Sequence, residues 1–139
     1  MKPYRLGIVA TLLLCVSLHA AAVEVVSNKA VNTQTLSLST LRAIFSMRMT
    51  QWPDGSPIRV FVLGEKDPLH AEFTKKRLGV FPHQLRRAWN RQIYSGTGQA
   101  PSKLDTEAEM RGLIAATPGA IGYLSQDQID EHVQTIEIQ

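Results

Sequence analysis

The side chains best suited to chemistry gather at two places in this chain. Ser95-Gly96-Thr97-Gly98 sets two hydroxyls among glycines, and such a turn can aim backbone N–H and hydroxyl donors at an oxyanion such as phosphate or sulfate. Its plain alternative is a flexible connector. Lys66-Asp67-Pro68-Leu69-His70 places a cation, a carboxylate and an imidazole where a helix should begin. Helix N-termini attract anions, although Asp67 takes the cap itself and Pro68 has no N–H to offer. Lys66, Asp67, His70, Ser95, Gly96 and Thr97 are therefore the candidate ligand contacts.

Patterns that would announce an enzyme are absent. There is no G-x-S-x-G elbow, no phosphate loop of the G-x-x-x-x-G-K-[ST] type and no H-E-x-x-H. His70, His83 and His132 stand far apart, without partners at ligand spacing, and read as surface or capping residues rather than a metal set. No catalytic residue, metal or cofactor is expected. The basic groups Lys75-Lys76-Arg77 and Arg86-Arg87-Arg91 read first as a solvated helix face, then as a surface for an acidic partner or a membrane.

The elements that must position these residues alternate in type. Val23-Glu24-Val25-Val26 is strand-like. In SLSTLRAIF, Leu38, Leu41, Ile44 and Phe45 share one helical face, with Ser37 or Ser39 as cap. Pro53-Asp54-Gly55 is a reversal, and Ile58 to Leu63 a second strand. A helix opens at Asp67-Pro68 and closes at Gly79. Another spans Pro82 to Ile93, and Tyr94 to Leu104 reads as a long loop. Thr106 and Glu109 form a capping box for a helix with Met110, Leu113 and Ile114 inside. Thr117-Pro118-Gly119 stops that helix. Ala120 to Leu124 is then a buried strand in which Gly122 implies a close approach or bulge. Ser125 caps a short helical turn, and Thr135 to Ile138 is the last strand. Alternating strands and helices predict a three-layer α/β fold with a mostly parallel sheet flanked by helices.

The first 22 residues read as an export signal: Lys2 and Arg5, then an uncharged apolar run from Leu6 to Leu18, then Ala20-Ala21-Ala22 as a cleavage site. The apolar run is shorter than the roughly 20 residues of a comfortable span, and the competing reading is an uncleaved N-terminal anchor. Cleavage removes Lys2 and Arg5, so the formal charge of +3 falls to +1. It also removes Cys15, the only cysteine, and with it any disulfide or thiol chemistry. Residues 23–139 are then one modest domain, located in the periplasm, and export sets nucleic acid aside as a partner.

Two blocks carry a family resemblance. LSLSTLRAIFSMRMTQWPDGSPI, a helix followed by a tryptophan turn, and ATPGAIGYLS resemble, in order and spacing, segments of the periplasmic phosphate-binding proteins of ABC importers. The likeness runs over roughly residues 24 to 125, and the second block is the more specific. It implies the type 2 periplasmic binding fold, of which this chain would be a single-lobe short form. Family members have two lobes that close on the ligand. After the central strand they carry an arginine, an aspartate and a Ser-Gly-Thr turn that grip phosphate. Here the corresponding stretch is Leu63-Gly64-Glu65-Lys66-Asp67-Pro68-Leu69-His70. Asp67 falls where the family has its acidic residue, whereas the arginine and the Ser-Gly-Thr donors have no counterpart.

The resemblance implies a non-catalytic solute-binding domain for a small, phosphate-like anion. The alternative is a periplasmic interaction, accessory or sensor module that keeps the fold without phosphate binding. The partners it implies are a small oxyanion and a body covering the open face, either a second copy or a membrane or periplasmic protein.

Overall fold

The computed structural model describes residues 22–96 and 98–139. The export signal, apart from Ala22, and Thr97 therefore lie outside the described residues. Strand β1 (Val23–Asn28) is followed by β2 (Thr35–Leu36), α1 (Leu38–Phe45), β3 (Arg59–Leu63) and α2 (Pro68–Phe73). A π-helical turn (Thr74–Leu78) extends α2. Next come α3 (Pro82–Tyr94), β4 (Ser102–Leu104), α4 (Glu107–Ala116), β5 (Ala120–Ser125), a 3-10 turn (Gln126–Gln128), β6 (Val133–Thr135) and β7 (Glu137–Ile138).

The main sheet has the order β4-β3-β5-β1-β6. β3 pairs in parallel with β4 and β5, while β1 runs antiparallel to both β5 and β6. Four of the five strands thus point one way and β1 alone runs back, so the mostly parallel α/β expectation holds. β2 and β7 form a separate parallel pair.

Neighbouring residues of β5 reach opposite faces of the sheet, as alternation requires. Tyr123 stacks on Phe73 with ring centroids 4.0 Å apart, and Phe45 lies beyond, which puts α1 and α2 on one side. A Cβ on Gly122 would lie 2.6 Å from Met110 Sδ and 2.8 Å from Ile114 Cδ1, which puts α4 on the other. The core fills both spaces, with Leu41, Ile44, Phe45 and Phe73 on the first side and Met110 and Ile114 on the second, all buried. α3 attaches to the first layer through Leu85 and through Trp89, whose Nε1–H donates to the Phe45 carbonyl at 2.6 Å.

Most caps follow the local chemistry. The Ser37 hydroxyl accepts from Thr40 N–H, Asp67 accepts from Leu69 N–H, and Gly79 ends the π-helical turn at φ 69. The Thr106 capping box forms only by half: Thr106 Oγ1 accepts from Glu109 N–H at 3.1 Å, but the Glu109 carboxylate accepts from Asp105 N–H instead. Three differences from the sequence reading concern short strands. β2 was not expected, β4 lies inside the supposed loop from Tyr94 to Leu104, and the last strand divides at Ile136 into β6 and β7. Runs of two or three residues carry too little pattern to register, and their pairing partners are supplied by the sheet.

The two blocks of the family resemblance meet in space. Trp52 is buried beneath its turn, and its Nε1–H donates to the Gly119 carbonyl at 3.0 Å. The same carbonyl accepts Arg59 N–H at 3.0 Å, at the first residue of β3. Gly119 holds φ 80, and a Cβ there would stand 2.3 Å from the Pro57 carbonyl oxygen, so no other residue fits without a shift.

Candidate functional site

In open α/β sheets, ligands bind beyond the carboxyl ends of the parallel strands, where the crossovers leave the sheet. Here that edge carries the turn from β3 to α2 (Gly64 to Asp67), the turn from β4 to α4 (Asp105 and Thr106) and the end of β5 at Ser125. Because β1 runs the other way, its amino end lies at the same edge, with Val23 opposite Ser125.

At the β3–α2 turn, Asp67 N–H donates to the Gly64 carbonyl at 2.9 Å, which closes the turn. The Asp67 carboxylate then accepts Leu69 N–H at 2.9 Å. With Pro68 lacking an N–H, two of the first donors of α2 are already out of play. Glu65 pairs with Arg86 of α3 at 2.6 Å, and Lys66 is exposed with no ion pair among the described residues. At the end of β5, the Ser125 N–H and hydroxyl both donate to the Glu107 carboxylate from the first turn of α4. At the start of β1, Arg77 bonds the Val23 carbonyl at 2.7 Å and Glu24 at 2.9 Å.

His70 is not the surface or capping residue that its position near a helix start suggested. It is 1% exposed. The Tyr123 hydroxyl accepts Leu63 N–H at 2.8 Å and shares a hydrogen bond with His70 Nδ1 at 2.5 Å. Burial holds the His70 imidazole below its ordinary value, against the smaller opposing influence of Glu65 and Asp67, which favours the neutral ring. Burial also pushes the Tyr123 hydroxyl far above the ordinary phenol value. The relay ties β3, α2 and β5 together beneath the edge.

Ser95 and Gly96 lie elsewhere, at the C-terminal end of α3. Ser95 N–H donates to Arg91 O at 3.0 Å, Gly96 N–H to Ile93 O at 3.1 Å and Gly98 N–H to Gln92 O at 3.1 Å. The Ser95 hydroxyl donates to Gln92 O at 3.0 Å. These donors close the carbonyl end of a helix, the end whose dipole disfavours anions. Gly96 and Gly98 border a groove of about 600 Å³ with Met47, Gln51 and Arg59, toward the amino end of β3. The described candidates thus fall into two groups at opposite ends of that strand, and the structure does not bring them into one site.

Sequence reasoning missed Tyr123 as the partner of His70 and Glu107 as the partner of Ser125. Only a charged residue in the first turn of α4 and a hydroxyl at a strand end hinted at the second pair, and no spacing rule links them. Asp130, Glu131 and His132 bring ligand atoms within 4.8 Å of one another, but on one exposed turn. There the Asp130 carboxylate accepts His132 N–H at 2.9 Å and meets Arg111 at 3.6 Å. At the carboxyl edge Lys66 is exposed, while the Leu69 and Ser125 donors are taken by the chain's own carboxylates.

The family model of the PBP superfamily domain matches residues 11–137. Among curated proteins no match is found. Solved structures share the fold at low identity. An ABC-type phosphate transport receptor from Vibrio cholerae is 16% identical over 85% of this chain and 46% of its own, with a TM-score of 0.67. A putative phosphate ABC transporter substrate-binding protein with bound phosphate, from Clostridium perfringens, is 16% identical over 85% and 45%, with a TM-score of 0.66. PstS from Borrelia burgdorferi is 12% identical over 86% and 47%, also at 0.66. The chain therefore spans less than half the length of these proteins. By the family match over residues 11–137, the chain belongs to the PBP superfamily domain family.

Proposed function

We propose that this chain is an exported, non-catalytic binding module of the periplasm that presents the carboxyl edge of its sheet as half of a cleft for a small, phosphate-like oxyanion. The observation that carries this reading is the architecture: one α/β lobe with its ligand edge open to solvent, less than half the length of the phosphate-binding proteins whose fold it shares. Lys66 is the exposed cation of that edge. An anion on a single lobe stays half in water, where charge-assisted contacts are screened. Binding by the isolated chain is therefore weak, and a second copy or another membrane or periplasmic protein completes the site. Calorimetric titration of phosphate, sulfate and carboxylates into the purified chain tests this. A ligand at a hundredfold excess over its dissociation constant adds about 2.7 kcal/mol of stability, so a thermal shift gives an independent readout. Tight phosphate binding by a monomer overturns the half-cleft argument.

A specific observation favours the second reading, a protein-docking accessory module. The donors an oxyanion would use are engaged by the chain's own carboxylates, Asp67 on Leu69 N–H and Glu107 on Ser125. Silence toward every anion, with capture of one defined periplasmic partner at this edge, moves the function there.

A further inference from the structure

From Lys75 onward the charges of this chain are sorted by layer. From Lys75 to Leu104 there are seven Lys and Arg and no acid; from Asp105 to Gln139 there are seven acids and only Arg111. The first stretch supplies the π-helical turn and α3 on one side of the sheet. The second supplies α4 and the Asp127–Glu131 turn, tied to α4 by the Arg111–Asp130 pair at 3.6 Å. The molecule therefore carries a charge dipole across its sheet, with α3 as the basic pole.

The outer line of α3 is built to one pattern. At helical spacing His83, Arg87, Asn90, Arg91 and Tyr94 face away from Leu85 and Trp89. Arg87 and Arg91 are exposed and in no ion pair among the described residues. A shallow groove of about 580 Å³ runs along Arg87, Asn90, Arg91 and Tyr94. The large apolar side chains standing exposed among the described residues are Phe81 at 54%, Ile93 at 45% and Tyr94 at 88%. All three sit at the two ends of this helix. Phe81 stacks on His83 at 5.7 Å, and Lys75 lies over its ring at 5.9 Å.

We infer that the outer face of α3 docks on an anionic phospholipid surface. Guanidinium groups on the middle turns match lipid phosphates, and the apolar and aromatic side chains at both ends match the headgroup boundary, where Tyr is favoured. The 13-residue helix is about 20 Å long, too long for one small solute and suited to an extended charged plane. The acidic layer faces away, so the same dipole orients the body on the surface. No helix among the described residues is long and apolar enough to cross a membrane, so the contact is peripheral. This face is separate from the carboxyl edge, and the inference stands independently of oxyanion binding.

Co-sedimentation with phosphatidylcholine vesicles, with and without phosphatidylglycerol, tests it. The protein should sediment with the anionic vesicles and not with the neutral ones. It should be released at about 1 M salt, where the screening length falls to about 3 Å. The exposed double substitution Arg87→Ala/Arg91→Ala should melt like the parent and weaken partitioning about tenfold or more. Tyr94→Ser should weaken it in a salt-independent way. No binding to anionic vesicles, equal binding to neutral ones, or binding unchanged by the arginine substitutions overturns the inference. Self-association that the same substitutions abolish, seen by sedimentation velocity without lipid, also overturns it and gives the face to the acidic layer of a second copy.

Discussion

The two ends of β3, four residues apart, are held in different ways. At the amino end, Arg59 N–H and the Trp52 indole share the Gly119 carbonyl, and a Cβ on Gly119 would strike the Pro57 backbone at 2.3 Å. At the carboxyl end, a Cβ on Gly64 would meet nothing within 4 Å, Lys66 is exposed, and the turn is fixed by the Asp67 cap. The first junction depends on backbone approach, which few residue types allow. The second depends on caps that several residue types supply. A lobe built this way can change the chemistry at one end of a strand while the other end keeps the fold.

The largest effect should therefore come from Gly119→Val, which combines a left-handed φ with a clash against backbone. We expect a loss of about 3–4 kcal/mol in denaturant unfolding. Gly122→Val should cost about 1–3 kcal/mol, because the atoms it meets, Met110 Sδ and Ile114 Cδ1, are ends of side chains that can move. Gly64→Ala should stay within about 0.5 kcal/mol of the parent. Equal losses at Gly64 and Gly119 would break the contrast.

The His70 relay sits beneath the open end and sets how firm that end is. Tyr123→Phe leaves Leu63 N–H without its acceptor and His70 Nδ1 without its partner, at a cost of about 1–3 kcal/mol. The pH dependence follows from the sign of the shift. The folded protein holds His70 below the ordinary value of 6.5 by burial, with Glu65 and Asp67 opposing and Lys103 assisting. The unfolded chain therefore takes up the proton first as pH falls. The stabilisation is complete above about 6.5 and is lost as pH drops through the folded value. Stability curves at several pH values should fall on the acid side, and His70→Gln, which does not titrate, should flatten that slope.

How legible each end was follows the same division. The Trp52 turn, the helix stop at Pro118-Gly119 and the apolar β5 strand are local signals, and all appear where the sequence placed them. The cap at Asp67 was equally local. Ser95, Gly96 and Gly98 close the C-terminal end of α3; glycine and serine serve a helix C-terminus as readily as an anion site, and only the hydrogen-bond partners distinguish the two uses. The His70–Tyr123 bond joins residues 53 positions apart, and the Glu107–Ser125 contact depends on which helix the sheet places beside β5. Neither has a period or a motif to betray it.

The smallest effect on stability, and the sharpest test of the open end, is Asp67→Asn. Asparagine caps a helix about as well as aspartate, so stability should change by a few tenths of a kcal/mol at most. What changes is charge. The carboxylate now occupies the donor end of α2 and repels any second anion brought to Lys66. If the β3–α2 turn is the half-cleft for an oxyanion, the neutral amide should strengthen phosphate binding severalfold in calorimetry, and Lys66→Ala on that background should reverse the gain. If the turn serves a protein partner instead, phosphate should stay silent in both variants while partner affinity shifts. A phosphate affinity that rises with Asp67→Asn but ignores Lys66→Ala would place the anion elsewhere on the lobe and remove this turn from the proposed site.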